Sequence, residues 1–153
     1  MKRIVPQDSS EYARYLLGRV RFFMTRARQH ELRPYQISPR QAYILFILHN
    51  LGHSTTLNEL AWQTDRKINT LSTNMTKMEK YGLVKKIRET PNSTHLRFEL
   101  TEKGLDTYLK CNKEKSINDI MSVLSEEELK QLILMLEKMT NKAQRYKGAK
   151  SLK

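Results

Sequence analysis

One cysteine, Cys111, is all that the 153 residues contain. That excludes an intramolecular disulfide framework and a cysteine-rich zinc site, and it fits a reducing compartment. Cys111 itself reads as a half-buried helix residue, the alternative being a redox-sensing thiol. Long apolar runs are also missing. No stretch approaches the roughly 18 residues that a membrane span requires, and Met1-Lys2-Arg3 leads into Pro6, Gln7 and Asp8 instead of an apolar signal core. A cytoplasmic chain with no membrane partner is the expectation. No Gly-rich phosphate loop, Ser elbow, or nucleophile with a matching base is present, so neither an enzyme nor a cofactor is expected. His49 and His53 have the four-residue spacing of paired metal ligands. Gly52 lies between them and ends the helix, however, and His30 and His95 have no carboxylate or cysteine close by, so no metal site is expected.

Acidic residues are scarce. Against 16 Asp and Glu stand 28 Lys and Arg, a net charge of +12, which favours a polyanionic partner. Apolar residues make up 39% and fall in periodic stripes, a pattern that suits an elongated helical protein sharing its core with a second subunit. From Asp8 to Gln29 two stripes run at helical spacing, Tyr12, Leu16, Phe23, Ala27 and Ala13, Leu17, Val20, Met24, and Pro34 ends the segment. Ser38-Pro39-Arg40-Gln41 combines an N-cap, a first-turn proline and a capping-box Gln, and opens the most apolar helix, which Gly52 ends. Thr56 and Glu59 cap another helix, interrupted at Thr64-Asp65. After Gly82 the period changes to alternation: LVKKIRE and HLRFEL flank a Pro/Asn turn as a hairpin, with Leu96, Phe98 and Leu100 on one side. Helix resumes after Thr101. Ser125 and Glu128 form a further capping box, with Leu124 and Leu129 as a hydrophobic staple, before a stripe of Leu129, Leu132, Ile133, Leu136 and Met139. The basic tail from Lys147 is expected to fray.

Between Lys67 and Met78 there is no Asp or Glu at all. On a helical wheel Ile68, Leu71, Met75 and Met78 form a narrow apolar stripe, with Arg66, Asn69, Thr70, Thr73 and Lys77 opposite. A solvated helix ordinarily pairs Glu with Lys; this one uses Asn, Thr and Ser, poorer helix formers. Those side chains suit base edges, Lys and Arg suit guanine or phosphate, and a carboxylate would repel the DNA backbone. A short capped helix, a break, a polar helix ending in glycine and then a hairpin is the order of a winged helix-turn-helix.

The segment LNELAWQTDRKINTLSTNMTKMEKYGLVKKI, followed by a turn and FELTEKG, resembles the core of the MarR family of bacterial transcriptional regulators. The matching residues are Met78, Glu79, Gly82, Leu83, Val84, Leu100, Thr101 and Gly104. The resemblance implies a mainly α fold with a small β-wing. It also implies a single domain over 1–153, with a DNA-binding lobe at about 35–103 and dimerisation helices at about 8–33 and 104–146. A symmetric homodimer would bind double-stranded DNA at a pseudo-palindromic operator, as a repressor, with a small aromatic effector as a further partner. Tyr15, Tyr43 and nearby arginines are available for such an effector. Candidate DNA contacts are Arg66, Lys67, Asn69, Thr70, Thr73, Asn74 and Lys77 on the reading helix, Ser38, Arg40 and Thr56 at the starts of the preceding helices, and Arg88, His95 and Arg97 on the wing. Asn92 and Thr94 stand where the family pattern has an acid and an arginine at the wing tip, and Thr64-Asp65-Arg66 departs from its usual apolar, glycine-containing break. The alternative is a winged-helix interaction module or a nonspecific packaging protein, which would need only Lys and Arg on the reading face.

Overall fold

The structure, a computed structural model, describes residues 8–88 and 96–148. Its elements are α1 (Ser9–Leu32), a 3₁₀ turn (Arg33–Tyr35), α2 (Pro39–Asn50), β1 (Ser54–Thr56), α3 (Leu57–Thr64), α4 (Ile68–Lys80), β2 (Val84–Arg88), β3 (Leu96–Leu100), α5 (Glu102–Cys111), α6 (Lys115–Met121) and α7 (Glu126–Gly148). Two compact units are distinguished, Met1–Ser116 and Ile117–Lys153.

In the first unit the core forms around α2. Ser38 and Gln41 close a reciprocal capping box over Pro39, and Ile44, Leu45, Ile47 and Leu48 are all fully or almost fully buried. Leu60 of α3, Leu71, Met75 and Met78 of α4, Phe98 of β3 and Tyr108 of α5 complete it. Gly52 takes φ +75°, which a glycine adopts without strain, and α2 ends two residues before it. Asp8 caps α1 by accepting from the Glu11 N–H. The helix runs on to Leu32, three residues beyond the expected Gln29, and the turn containing Pro34 follows at once.

The sheet has the order β1-β3-β2, all antiparallel, with β3 paired to β2 from Val84↔Leu100 to Arg88↔Leu96 and to β1 from Ser54↔Glu99 to Thr56↔Arg97. β1 was not foreseen: Ser54-Thr55-Thr56 is too short to show alternation, and only its pairing with β3 defines it. Leu96 also departs from expectation. It is 39% exposed while Phe98 and Leu100 are buried, because it stands at the start of β3, before the strand reaches the core. The expected turn at Thr90–Thr94 lies outside the described residues.

Two further expectations need correcting. Ile68, placed on the inward stripe of α4, is 45% exposed, since the first helical residue projects beyond the core that holds Leu71, Met75 and Met78. Cys111 is buried, not half-buried, and burial pushes its thiol pKa up, opposite to what a reactive thiolate needs.

A buried charge closes the far end of this unit. Arg28 of α1 donates from Nη2 to the Cys111 carbonyl at 2.7 Å and pairs through Nη1 with Glu31 at 3.1 Å. Glu31 in turn accepts from the Lys115 and Ser116 N–H groups. Along the rest of α1 the apolar side chains are uncovered: Leu16, Leu17, Val20, Phe22 and Phe23 are all exposed. In the second unit Ser125 and Glu128 form the expected reciprocal cap on α7, and Ile133, Leu134, Met135, Leu136 and Met139 are exposed.

Candidate nucleic-acid interface

Among α1 to α5, α4 alone has no side-chain cap; Lys67 stands extended at its start, after Asp65 in the left-handed region at φ 53°. The uncapped N-terminus carries the positive end of the helix dipole, and Arg66 and Lys67 add charge of the same sign. Arg66, Lys67, Asn69, Thr70, Thr73 and Lys77 are exposed, so the structure brings these candidates onto one open surface; Asn74 is half-buried at its margin. Two of the candidates are partly engaged already: Thr73 Oγ1 donates to the Asn69 carbonyl at 3.1 Å and Asn74 Nδ2 to the Thr70 carbonyl at 2.8 Å. Glu79, the one carboxylate on α4, is half-buried and paired with Lys86 of β2 at 2.9 Å. Its charge is thus neutralised locally, and the exposed face of α4 stays free of acid.

The end of α4 is pinned by α5. Lys103 Nζ donates to the Tyr81 carbonyl at 2.7 Å, and Thr101 Oγ1 donates to the Gly82 carbonyl at 2.6 Å while accepting from the Gly104 N–H. These bonds hold the carbonyls of the C-cap residue Tyr81 and of Gly82 just past it, and the Lys103 charge suits the negative end of the dipole. Thr101 and Gly104 are two of the residues on which the family resemblance rests.

The helix-start candidates are built into their caps. Ser38 Oγ serves Gln41, and Thr56 Oγ1 accepts from the Glu59 N–H; Arg40 is exposed on the first turn of α2. The Glu59 carboxyl is held below its ordinary pKa chiefly by the Thr56 N–H, outweighing a burial effect in the other direction, with help from the Thr55 and Thr56 hydroxyls and from Arg97. On the wing the candidates separate. Arg97 Nε donates to Ser54 Oγ at 3.0 Å and Nη2 lies 3.9 Å from Glu59, so Arg97 braces β3 against β1 and α3 and is not a free cation. Arg88 is exposed at the end of β2, with no ion pair among the described residues. His95, Asn92 and Thr94 lie outside the described residues.

Sequence reasoning missed Ile68 as a surface residue. The available signal was position: a first-turn side chain has no preceding turn to pack beside, so helical period alone overstates its burial. Among the described residues no group of three or more His, Cys, Asp or Glu is placed to hold a metal ion; the His49 and His53 rings stack with centroids 5.3 Å apart. No described helix is long and apolar enough to cross a membrane. Of the effector candidates, Tyr15 is half-buried and accepts from Arg19 at 3.1 Å, and Tyr43 is exposed and stacked on Phe46.

No protein-family model matches the chain, and no curated protein matches it by sequence. Solved structures do. A crystal structure of the organohalide-sensing transcriptional regulator RdhR with 2,4-dichlorophenol bound superposes with a TM-score of 0.82 at 24% identity, covering 92% of this chain and 85% of that one. AbsC, a MarR family transcriptional regulator from Streptomyces coelicolor, gives 0.81 at 23% identity over 94% of this chain and 99% of its own. A cysteine-to-serine mutant of MarR from E. coli, complexed with operator DNA, gives 0.74 at 19% identity over 82% and 91%. The chain therefore has the winged-helix fold of the MarR-family transcriptional regulators, with α3 and α4 as its helix-turn-helix and β2–β3 as its wing.

Proposed function

We propose that this protein is a sequence-specific DNA-binding transcriptional regulator that acts as a homodimer in the cytoplasm, each α4 entering a major groove of a pseudo-palindromic operator. The observation that carries the reading is the exposed face of α4. It is open, uncapped at its N-terminus and lined by Asn69, Thr70, Thr73 and Lys77, and the helix's only carboxylate, half-buried Glu79, is paired with Lys86 away from it. Packaging of nucleic acid would require only the cations, whereas Asn and Thr serve base edges. The operator-DNA complex of a protein with this fold supports DNA as the partner.

Dimerisation is part of the proposal. The uncovered apolar side chains of α1 and of α7 are what a second copy would bury, and two-fold symmetry of the protein would match that of the operator. Repression by occupancy, and release by a small aromatic effector, complete the reading; the chlorophenol bound by RdhR supports that class of effector. The deciding experiment is competition. A labelled duplex selected from a randomised pool is displaced by its own sequence and by bulk DNA, and a regulator shows a specificity ratio of about a thousand or more at fixed salt. A ratio near one would reject sequence-specific regulation and leave nonspecific packaging.

A further inference from the structure

The DNA-reading function proposed above leaves open which bases α4 selects, and the side-chain geometry narrows that choice. Ile68 is the one exposed apolar side chain on α4: it continues the stripe of Leu71, Met75 and Met78 past the end of the core and is 45% open to solvent at the start of the helix. It gains nothing from water there, and it sits on the first turn beside Lys67, where a reading helix approaches the groove floor. A base edge in the major groove offers a single apolar group, the C5-methyl of thymine.

Asn69 follows directly and differs from its neighbours in what remains free. Thr73 has committed its one hydroxyl hydrogen to the Asn69 carbonyl, and Asn74, half-buried, spends one of its two Nδ2 hydrogens on the Thr70 carbonyl, which holds its amide against the helix. The Asn69 side chain makes no hydrogen bond among the described residues and is exposed, so both its donor and its acceptor are available at once. Bidentate pairing with adenine, donor to N7 and acceptor from N6, needs both. Adenine N6 and N7 and the thymine methyl are presented in the major groove by one A·T pair or by two neighbouring ones, within reach of adjacent residues on one turn. We infer that the first turn of α4 selects an A·T-containing step, with Asn69 on adenine and Ile68 against the thymine methyl.

The test uses the whole chain and duplexes altered by single atoms. After a preferred site is enriched from random duplex, each thymine is replaced in turn by deoxyuridine, which lacks only the methyl, and each adenine by 7-deazaadenine, which lacks only the N7 acceptor. The wild-type protein is expected to lose about fourfold in affinity at one deoxyuridine position, the value of one buried methyl group, and about tenfold at one 7-deazaadenine position. Ile68→Ala should abolish the first penalty and keep the second, and Asn69→Ala the reverse. Ile68→Val, which keeps a branched side chain, should retain part of the methyl effect, and thermal midpoints confirm that each variant is folded. Indifference of the wild type to deoxyuridine at every position, or a full methyl penalty persisting in Ile68→Ala, overturns the inference while leaving a DNA-reading protein. Enrichment of no sequence at all rejects the proposed function and this inference with it.

Discussion

At the scale of single residues, Gly104 shows how a motif position acquires a physical reason. A Cβ at this site would lie 2.0 Å from the Leu83 carbonyl oxygen and 3.1 Å from a Leu100 methyl, and the first of these contacts is with backbone that cannot swing away. Gly104→Ala must therefore push α5 off the Leu83 backbone that leads into β2, and we expect a loss of about 2 kcal/mol, seen as a thermal midpoint lower by roughly 4–8 °C. An unchanged midpoint would mean that α5 and the Leu83 backbone slide apart freely. Glu31 makes a second case, read through pH. Burial pushes its pKa up, but hydrogen bonds from Ser116 and Arg28, the Arg28 charge and the Lys115 N–H together hold it below the ordinary 4.5. A depressed carboxyl contributes stability that is fully present above its unfolded pKa and is lost as pH falls through the folded value. Between pH 6 and 3, wild-type stability should therefore fall more steeply than that of Glu31→Gln, which starts lower at neutral pH. Parallel curves in denaturant titrations across that range would remove the Arg28–Glu31 cluster from the account.

At the scale of elements, α4 and the wing make separate demands. Thr73→Ala should cost roughly 1–3 kcal/mol of operator binding and relax the preference at one base pair, whereas Lys77→Ala should weaken all sequences alike and lower the salt slope by about one. Operator variants and salt titrations compare the two directly; identical behaviour of the mutants would mean that α4 does not separate base from phosphate contacts. On the wing, Arg88→Ala should lower affinity with thermal stability intact, while Arg97→Ala should lower both, since Arg97 holds Ser54 and Glu59. A fully stable Arg97→Ala would make that brace decorative. The helices were legible in the sequence because each start carries its own chemistry: Ser38 with Gln41, Thr56 with Glu59 and Ser125 with Glu128 all cap as their spacing predicts. What stayed illegible was tertiary. Nothing in Ser54-Thr55-Thr56 announces a strand before β3 pairs with it. Arg97 reads as a free cation until the fold places Ser54 and Glu59 beside it, and Ile68 reads as core until the core proves to end at Leu71. Asn69, Thr70 and Thr73 stood out because their outward face depends only on helical period and on the missing acids around them.

At the scale of the whole molecule, the distribution of apolar surface makes the strongest demand. Val20, Phe22 and Phe23 on α1 are 49–55% exposed, and on α7 Ile133, Leu134, Met135 and Met139 are 47–65% exposed. Exposed apolar side chains in such number on each of the two helices fit the proposed dimer interface, and at about 25 cal/mol per Å² their burial would be a main source of association energy. Charge works against self-association, because each copy carries a net +12, and salt screens that repulsion within about 10 Å at 0.1 M. Dimerisation is therefore expected to tighten with added salt while operator binding weakens, since the first loses like-charge repulsion and the second loses counterion release. Sedimentation at micromolar concentration should show a dimer, with a thermal midpoint that rises with protein concentration. Phe23→Glu and Met139→Glu, each placing a charge on one of the two apolar surfaces, should shift the equilibrium toward monomer. They should also lower operator affinity, because each half-site would then be bound singly, although α4 itself is unaltered. A wild-type chain that sediments as a monomer, or variants that bind the operator as tightly as wild type, would show that the two apolar surfaces serve something other than the two-fold pairing of reading helices.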